Sequence, residues 1–499
     1  MSQIKKGALL SYANLFITNI IGLALTPLIV KSLGTNEYGL YILLGSLIAY
    51  FSLLDFGVGD TVVRYVSRYR ATNAIEEEAS FLGSIVLLFL PIIGFIFLIG
   101  ILVYFNIEKL FGTNFKSEDI ALIKNMFLVL LFNLSFSLIG NIFLGYINSY
   151  ERFVFTKSTV IIKYFVRAAT IYVVLNNGGM AMALVIIDTA LNILFFAVNV
   201  FYSYKYLNIK FVFSKLDGSF IKEIFSFSAW LFLLSVIGNF QWQGGQVLLG
   251  FISSSNEIAV YSIGVLLGTY YSSFSSAISS MFLPHASRLT TQNAGGKELT
   301  DAMIKLGRVT SYILMLILSG FVIFGKAFII LWLGAEFLDA YYIALIIMLV
   351  YTFPLVQSYA TAILEAKRLV KYKGSIYLIF IVLGTCCGYL GYKYAGIIGV
   401  ITSICTGWLI AFLLLNLYYS KKLDLQIFRF FKEVFMHQLI PLIILFAASL
   451  YLYNLIQAQT WIMLLIAATV YASVFACMYY LFVLDPSEKL LINKRYQQS

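Results

Sequence analysis

Apolar runs of about 20 residues, separated by short polar turns, repeat along almost the whole chain of 499 residues. A run of about 20 residues is the length that a helix needs to cross the hydrocarbon core of a bilayer. The pattern therefore predicts about fourteen membrane-spanning helices. The predicted spans are residues 8–30, 38–59, 80–105, 121–147, 158–176, 179–201, 225–250, 257–283, 307–331, 338–364, 374–394, 396–418, 437–456 and 460–483.

The composition agrees with this pattern. Hydrophobic residues make up 61% of the chain and charged residues 11%, whereas soluble domains carry about 25% charged residues. No connecting loop is long enough to fold as a domain, so we expect the function to lie within the membrane. Most of the 34 Lys and Arg residues lie on one side of the predicted topology, which places both termini in the cytoplasm. This topology explains the net charge of +11 without a nucleic-acid partner.

An internal repeat links the two halves of the chain. Glu37–Arg68 matches Glu257–Arg288 with identities that include Tyr41/Tyr261, and Asn19 aligns with Asn239 in the same register. An even number of predicted helices separates the copies, so both copies have the same orientation, as in several secondary transporters. The predicted fold is an all-α polytopic membrane protein with two six-helix lobes in a parallel pseudo-twofold repeat, followed by two C-terminal helices. The predicted lobes are residues 1–215 and 216–430, and residues 431–499 hold the last two helices and a cytoplasmic tail.

Two cations lie inside the fifth predicted span, where a charge is costly. Lys163 and Arg167 are four residues apart and share one helix face. Counting outward from the turn at Asn176–Gly179 gives Arg167 and Asp188 nearly equal depths on consecutive helices. One interpretation is an ion pair that only holds these helices together. The other is a hydrated lumen in which Arg167 and Lys163 meet an anionic cargo, with Asp188 as a coupling or counter-ion group.

Amide side chains form stripes on the spans that begin the two repeats. These amides either form hydrogen bonds between helices or line a water-filled cavity that binds sugar hydroxyls. Three arginines mark the predicted cytoplasmic ends of the second and eighth spans, where they either anchor the topology or form a cationic entrance for lipid headgroups. The candidate cavity amides are Asn14, Asn19, Asn239, Gln243 and Gln246, and the candidate entrance residues are Arg64, Arg68 and Arg288.

Three segments carry a family resemblance. LGTNEYGLYILLGSLIAYFSLLDFGVGDTVVRYVSRY (Leu33–Tyr69) resembles the N-terminal signature of polysaccharide and O-antigen flippases. Phe225–Leu289 is similar to the second-lobe counterpart of that signature, and FGKAFIILWLGAEF (Phe324–Phe337) is similar to the element after the ninth helix. The likeness spans most of residues 1–430. These flippases belong to the multidrug/oligosaccharidyl-lipid/polysaccharide exporter superfamily.

The resemblance implies a flippase, not an enzyme, that uses no ATP and no cofactor or metal. Its cargo would be undecaprenyl-pyrophosphate-linked oligosaccharide, a repeat unit of O-antigen (lipopolysaccharide), capsule or exopolysaccharide, carried to the outer leaflet by alternating access. It implies a monomer in the bacterial inner membrane, with a glycan polymerase and glycosyltransferases of the same pathway as partners. The alternatives are a multidrug/cation antiporter of the same superfamily, which would need intramembrane carboxylates, and a membrane glycan polymerase, which would need a large outer loop.

Overall fold

The computed structural model describes residues 3–112, 114–213, 218–292, 294–367, 369–456, 459–485 and 489. Within these ranges, side-chain surroundings are described except at 3–9, 218–231, 276–287, 290–291, 370, 448 and 450–456. The predicted lobe boundary at 215/216 lies outside the described residues, as does the tail after Asp485 except Lys489. The predicted lobe limits therefore stay a prediction. The described chain divides into two compact units, Met1–Ser262 and Ile263–Ser499.

The described residues form helices and no strand, which confirms the predicted all-α class. The apolar runs become helices because a spanning segment must satisfy every backbone N–H and C=O within itself. The helices of the first unit are α1 (Gln3–Phe51), α2 (Val58–Ala71), α3 (Ile75–Phe111), α4 (Ser117–Ser149), α5 (Phe153–Asn176), α6 (Ala181–Leu207) and α7 (Gly218–Ile252). They are followed by α8 (Ser255–Thr291), α9 (Gly296–Leu333), α10 (Asp339–Val356), α11 (Ser358–Ala366), α12 (Val370–Leu423), α13 (Ile427–Ile456) and α14 (Trp461–Met478).

Two of these helices each contain a break that separates two predicted spans. Gly34 interrupts α1 with φ 70°, a left-handed conformation that glycine adopts without steric cost. Ala395 and Gly396 interrupt α12, and Gly396 has φ 56°. Ten described segments are long and apolar enough to cross a membrane, and two of them are these broken pairs. With α7 and α8, which are 35 and 37 residues long, the described helices account for the fourteen predicted spans.

The order of helices supports the internal repeat. In the first copy the break falls at Gly34, and in the second copy α7 ends at Ile252 and α8 begins at Ser255. This second break lies at the position that the sequence alignment pairs with Gly34. The hairpin α5–α6 in the first half likewise corresponds to the two parts of α12 in the second half. The repeat read from sequence therefore reappears as a repeated pattern of helix ends.

The signature segment DFGVGD (Asp55–Asp60) forms the turn between α1 and α2. Phe56 and Gly57 are both left-handed, with φ 47° and 67°. The Asp55 carboxylate holds the turn, because it accepts the Gly57 N–H at 2.7 Å and the Asn141 side-chain N–H at 3.0 Å. Beyond the turn α2 approaches α4 closely, and a Cβ on Gly145 would lie 2.5 Å from the carbonyl oxygen of Gly59. The turn and this contact fix the direction in which α2 leaves α1.

In the second unit, α13 and α14 pack against α9 through an apolar cluster that includes Ile323, Leu445 and Tyr471. Polar contacts strengthen this packing. Tyr471 donates to the Ser319 hydroxyl at 2.6 Å, and Gln438 donates to the Ser311 hydroxyl at 2.7 Å. The two helices that the sequence leaves outside the repeat are therefore attached to the second unit at α9.

Candidate functional site

A polar cavity of about 550 Å³ lies inside the first unit. The second part of α1 and the helices α4, α5, α6 and α7 surround it. These helices are predominantly apolar, so a cavity that collects several charged and amide groups is a candidate functional site. The residues that line it are Tyr41, Ile42, Gly45, Ser46, Leu130, Asn133, Val160, Lys163, Tyr164, Arg167, Asp188, Asn192 and Gln243.

Arg167 and Asp188 form a two-point ion pair on one wall of the cavity. The Arg167 Nε atom lies 2.5 Å from Asp188 Oδ1, and Nη2 lies 3.0 Å from Oδ2. The Tyr41 hydroxyl donates to Asp188 Oδ2 at 3.1 Å and accepts from Arg167 Nη2 at 3.3 Å. Both charged side chains are about a quarter exposed, 26% and 22%. The pair is therefore neither buried in packing nor free in water but faces the cavity.

The remaining Arg167 nitrogen is not part of this pair. Among the described residues, Nη1 of Arg167 has no hydrogen-bond partner. A guanidinium group offers its donors in a planar fork that matches carboxylate and phosphate oxygens. The pair thus holds the guanidinium in one orientation and leaves one of its donor nitrogens outside the pair.

Lys163 has a neutral partner. Its ammonium donates to the Asn192 side-chain oxygen, and Asn192 in turn donates to the Asn133 side-chain oxygen at 2.8 Å. Among the described residues, no carboxylate lies within ion-pair distance of Lys163. A charge that is removed from bulk water without a counter-ion is costly. The cavity therefore carries one positive charge that its own residues do not neutralise.

Hydroxyl and amide groups occupy the part of the cavity formed by α1 and α7. Ser46 donates to the side-chain oxygen of Gln243 at 2.9 Å. Together with Asn133 and Asn192 these residues supply donors and acceptors without charge, which suits the hydroxyl groups of a sugar. The cavity thus combines a cationic wall with a neutral polar wall.

The other predicted amides do not line this cavity. Asn239 donates to the Ser235 carbonyl of its own helix at 3.2 Å. The side-chain oxygens of Gln246 and Asn14 are buried and have no hydrogen-bond partner among the described residues. Asn19 is half-buried on α1. Of the five predicted amides, Gln243 is the one that lines the cavity.

The predicted entrance arginines are all exposed, Arg64 in the middle of its helix and the other two near helix ends. Arg64 and Arg68 lie on α2, and Arg288 lies near the end of α8. The Arg64 guanidinium lies 5.8 Å from the centre of the Tyr65 ring. None of the three lines the polar cavity. Their proposed role at an entrance stays a prediction.

Tyr41 was not predicted as a site residue, although it bridges the ion pair. The sequence contains a signal for it, because Tyr41 and Tyr261 are identical across the repeat. Tyr261 has a different environment, since its hydroxyl lies where a Cβ on Gly245 would stand. Repeat identity therefore indicates that a tyrosine matters in both copies, but it does not reveal the partner of either.

Comparisons with known proteins agree with the fold. Residues 4–290 match the family described as polysaccharide biosynthesis protein. The lipid II flippase MurJ, in an inward closed conformation, aligns over 95% of this chain and 98% of its own, with 17% identity and a TM-score of 0.69. An inward-facing multidrug resistance MATE family transporter of the MOP superfamily aligns over 84% of this chain and 98% of its own, with 13% identity and a TM-score of 0.64. No curated protein matches the sequence.

A third solved structure is a MOP superfamily transporter from Pyrococcus furiosus Vc1, described as having a binding pocket of reverse polarity that suggests a different function. It aligns over 85% of this chain and 95% of its own, with 13% identity and a TM-score of 0.55. At such identities these three likenesses concern the fold alone.

The fold and the cavity define a class, a multi-pass helical membrane protein of the fold found in flippases and transporters of this superfamily. The sequence match covers more than half of the chain and is more specific. The chain belongs to the polysaccharide biosynthesis protein family. This result confirms the resemblance inferred from the signature at Leu33–Tyr69.

Proposed function

We propose that this protein is a flippase that carries undecaprenyl-pyrophosphate-linked oligosaccharide from the cytoplasmic to the outer leaflet by alternating access. The observation that carries the proposal is the uncompensated charge of Lys163 beside the Arg167–Asp188 pair. A pyrophosphate-linked cargo is anionic and would supply the missing counter-charge. Charge-assisted hydrogen bonds to such an anion are about twice as strong as neutral ones.

The two walls of the cavity suit the two parts of this cargo. Arg167 and Lys163 would contact the pyrophosphate, and the amides and hydroxyls around Ser46 and Gln243 would contact sugar hydroxyls. Asp188 would be the internal counter-ion that releases Arg167 when the pyrophosphate arrives. The structural and the functional interpretation of the ion pair then describe two states of one transport cycle.

The cellular setting follows from the same proposal. The cargo is made on the cytoplasmic leaflet, so the protein would lie in the bacterial inner membrane with both termini in the cytoplasm. It would act as a monomer between the glycosyltransferases that build the repeat unit and the polymerase that extends it. The repeat unit would belong to O-antigen, capsule or exopolysaccharide.

The second candidate is a cation antiporter, which the MATE fold likeness favours. A cavity that binds cations needs an excess of carboxylates, whereas this cavity contains two cations and one carboxylate. A glycan polymerase would need a large outer loop, whereas the connections between the described helices are short. The charge balance therefore favours an anionic cargo.

The test is lipid flipping by the purified protein in liposomes that contain fluorescent undecaprenyl-pyrophosphate oligosaccharide. A glycosidase that cannot cross the membrane reports how fast the glycan reaches the other leaflet. We expect Lys163→Gln to reduce the rate by about tenfold, the ratio that corresponds to one charge-assisted hydrogen bond. Lys157→Gln is the matched control on the same helix, since Lys157 does not line the cavity, and it should flip at the wild-type rate.

Two outcomes would overturn the proposal. Flipping by Lys163→Gln at the wild-type rate would show that the uncompensated cation has no part in transport. Transport of tetraphenylphosphonium, without any flipping of the glycan lipid, would instead establish the cation antiporter.

A further inference from the structure

A second polar cavity, of about 360 Å³, lies where α2, α3, α4 and α6 end. It is separate from the polar cavity described above and shares no lining residue with it. The sequence predicts these helix ends to lie at the cytoplasmic surface of the membrane. The polar residues that matter here are Arg70, Lys210, Glu78, Tyr146 and Tyr150.

Arg70 is held in a fixed orientation in this second cavity. Its guanidinium carbon lies 3.6 Å from the centre of the Tyr150 ring, and Nη1 donates to the Ser149 carbonyl at 2.9 Å. Among the described residues, these are the only hydrogen bond and ring contact of Arg70. A stacked guanidinium keeps its planar fork of donors ready for phosphate oxygens.

Tyr150 is itself held by a buried carboxylate. Its hydroxyl donates to Glu78 Oε1 at 3.1 Å, and the Tyr146 hydroxyl lies 3.0 Å from the Tyr150 hydroxyl. Burial raises the pKa of the Tyr150 phenol above its ordinary value near 10, so the group is protonated at neutral pH and donates to Glu78. Glu78 is 7% exposed, so packing holds its carboxylate in place. The carboxylate fixes the Tyr150 hydroxyl, and the Tyr150 ring fixes the Arg70 guanidinium.

Lys210 brings a second cation to the same cavity. It lies just after α6, where the Val212 N–H donates to the Ala79 carbonyl at 3.0 Å and buried Ile209 anchors the segment. The segment approaches α3 so closely that a Cβ on Gly83 would lie 2.2 Å from the Val212 carbonyl oxygen. In the described part of the chain, neither Lys210 nor Arg70 forms an ion pair with a carboxylate.

We infer that this second cavity binds the phosphate group of a lipid in the cytoplasmic leaflet, through the guanidinium of Arg70 and the ammonium of Lys210. Arg70 and Lys210 outnumber the one carboxylate among the lining residues, Glu78, which attracts Arg70 and accepts a hydrogen bond from Tyr150. Such an excess of cations, at the level where lipid headgroups lie, recognises a phosphate ester or diphosphate. The lipid is a bulk phospholipid or a polyprenyl diphosphate carrier. The assignment does not depend on the proposed function, because any phosphate-bearing lipid can test it.

The experiment uses the purified full-length protein, stripped of lipid in detergent and titrated with short-chain phosphatidylglycerol by calorimetry. Lys210→Gln should weaken binding by about fivefold and Arg70→Gln by at least as much, because each removes one basic contact. Lys205→Gln is the matched control, an exposed lysine on α6 that does not line the cavity, and it should bind like the wild type. Since Lys210 is exposed, its substitution leaves the fold intact.

Competition distinguishes the sources of the phosphate. Displacement of phosphatidylglycerol by undecaprenyl diphosphate at a lower concentration would assign the cavity to the carrier lipid. Weak displacement by that lipid would assign the cavity to bulk phospholipid. Equal displacement by inorganic phosphate would overturn the lipid assignment. The site itself would be refuted if Lys210→Gln bound like the wild type, or if Lys205→Gln lost as much affinity as Lys210→Gln.

Discussion

Arg167 and Arg308 are each paired with an aspartate, and their remaining contacts differ. Arg167 binds Asp188 and Tyr41 beside the polar cavity, and its Nη1 has no hydrogen-bond partner among the described residues. Arg308, on α9, has a protein hydrogen-bond partner for each of its three side-chain nitrogens. Its Nη1 binds Asp485, its Nη2 donates to the Val483 carbonyl at 3.1 Å, and its Nε donates to the Tyr312 hydroxyl at 2.9 Å.

The difference separates a tie, meaning an arginine that only holds helices together, from an arginine that we propose contacts the cargo. An arginine whose donors are all satisfied by protein groups holds elements together, here α9 and the segment that follows α14. An arginine that keeps a donor toward a cavity, next to a second cation, can exchange its partner for a ligand. An ion pair alone does not decide between these roles, because the desolvation cost can equal the Coulombic gain in both.

The largest expected effect is the loss of transport on Arg167→Ala. This change removes the guanidinium that we propose contacts the pyrophosphate. The loss of its charge-assisted hydrogen bonds, about 3 kcal/mol, corresponds to a rate about 100-fold lower. Arg167→Lys should retain part of the activity because the charge remains. The measurement is flipping in liposomes at matched protein levels. A wild-type flipping rate for Arg167→Ala would contradict the proposed difference between the roles of Arg167 and Arg308.

The next effect is on stability and concerns Arg308. Arg308→Met removes three hydrogen bonds while conserving most of the apolar volume, and we expect the free energy of unfolding to fall by about 2 kcal/mol. Thermal unfolding in detergent measures this change. The flipping rate per folded molecule should stay unchanged. Arg429→Met is the control, since Arg429 forms exposed pairs with Asp301 and Glu433 and its loss should not measurably change the melting temperature.

The sequence predicts the Arg167–Asp188 pair but not the Arg308–Asp485 pair, for a physical reason. Arg167 and Asp188 lie on consecutive helices joined by a tight turn, so counting residues from the turn gives their relative depth. Arg308 and Asp485 are far apart in sequence, and their contact exists because α13 and α14 pack on α9. In the sequence, Arg308 is only one of the Lys and Arg residues whose distribution predicts the topology.

The fold was more predictable than the cavity. Apolar run length and the repeat were sufficient for the spans, because both depend on local sequence and on the thickness of the bilayer. Which polar residue faces the cavity depends on helix rotation and tilt, and these are set by packing against neighbouring helices. Gln243 lines the cavity while Gln246, three residues further along the same helix, is buried without a hydrogen-bond partner among the described residues.

A smaller effect concerns the coupling between Arg167 and Asp188. Asp188→Ala alone should lower stability, and the double variant Arg167→Ala/Asp188→Ala should recover about 1 kcal/mol of that loss because the Arg167 guanidinium is then no longer left without its carboxylate. Transport should not recover in the double variant. Recovery of both stability and transport would mean that the pair is only a tie, like the pair formed by Arg308.

The smallest expected effect comes from removing the tyrosine hydroxyl group that is hydrogen-bonded to each arginine. Tyr41→Phe removes the hydrogen bonds to Asp188 and Arg167, and Tyr312→Phe removes the hydrogen bond to Arg308. Each change should lower the free energy of unfolding by about 1 kcal/mol, because a typical hydrogen bond contributes that much. Only Tyr41→Phe should also slow flipping, by about threefold, since it alone loosens a group that we propose contacts the cargo. Equal flipping rates for the two variants, together with equal losses of stability, would place both arginines in the same structural role.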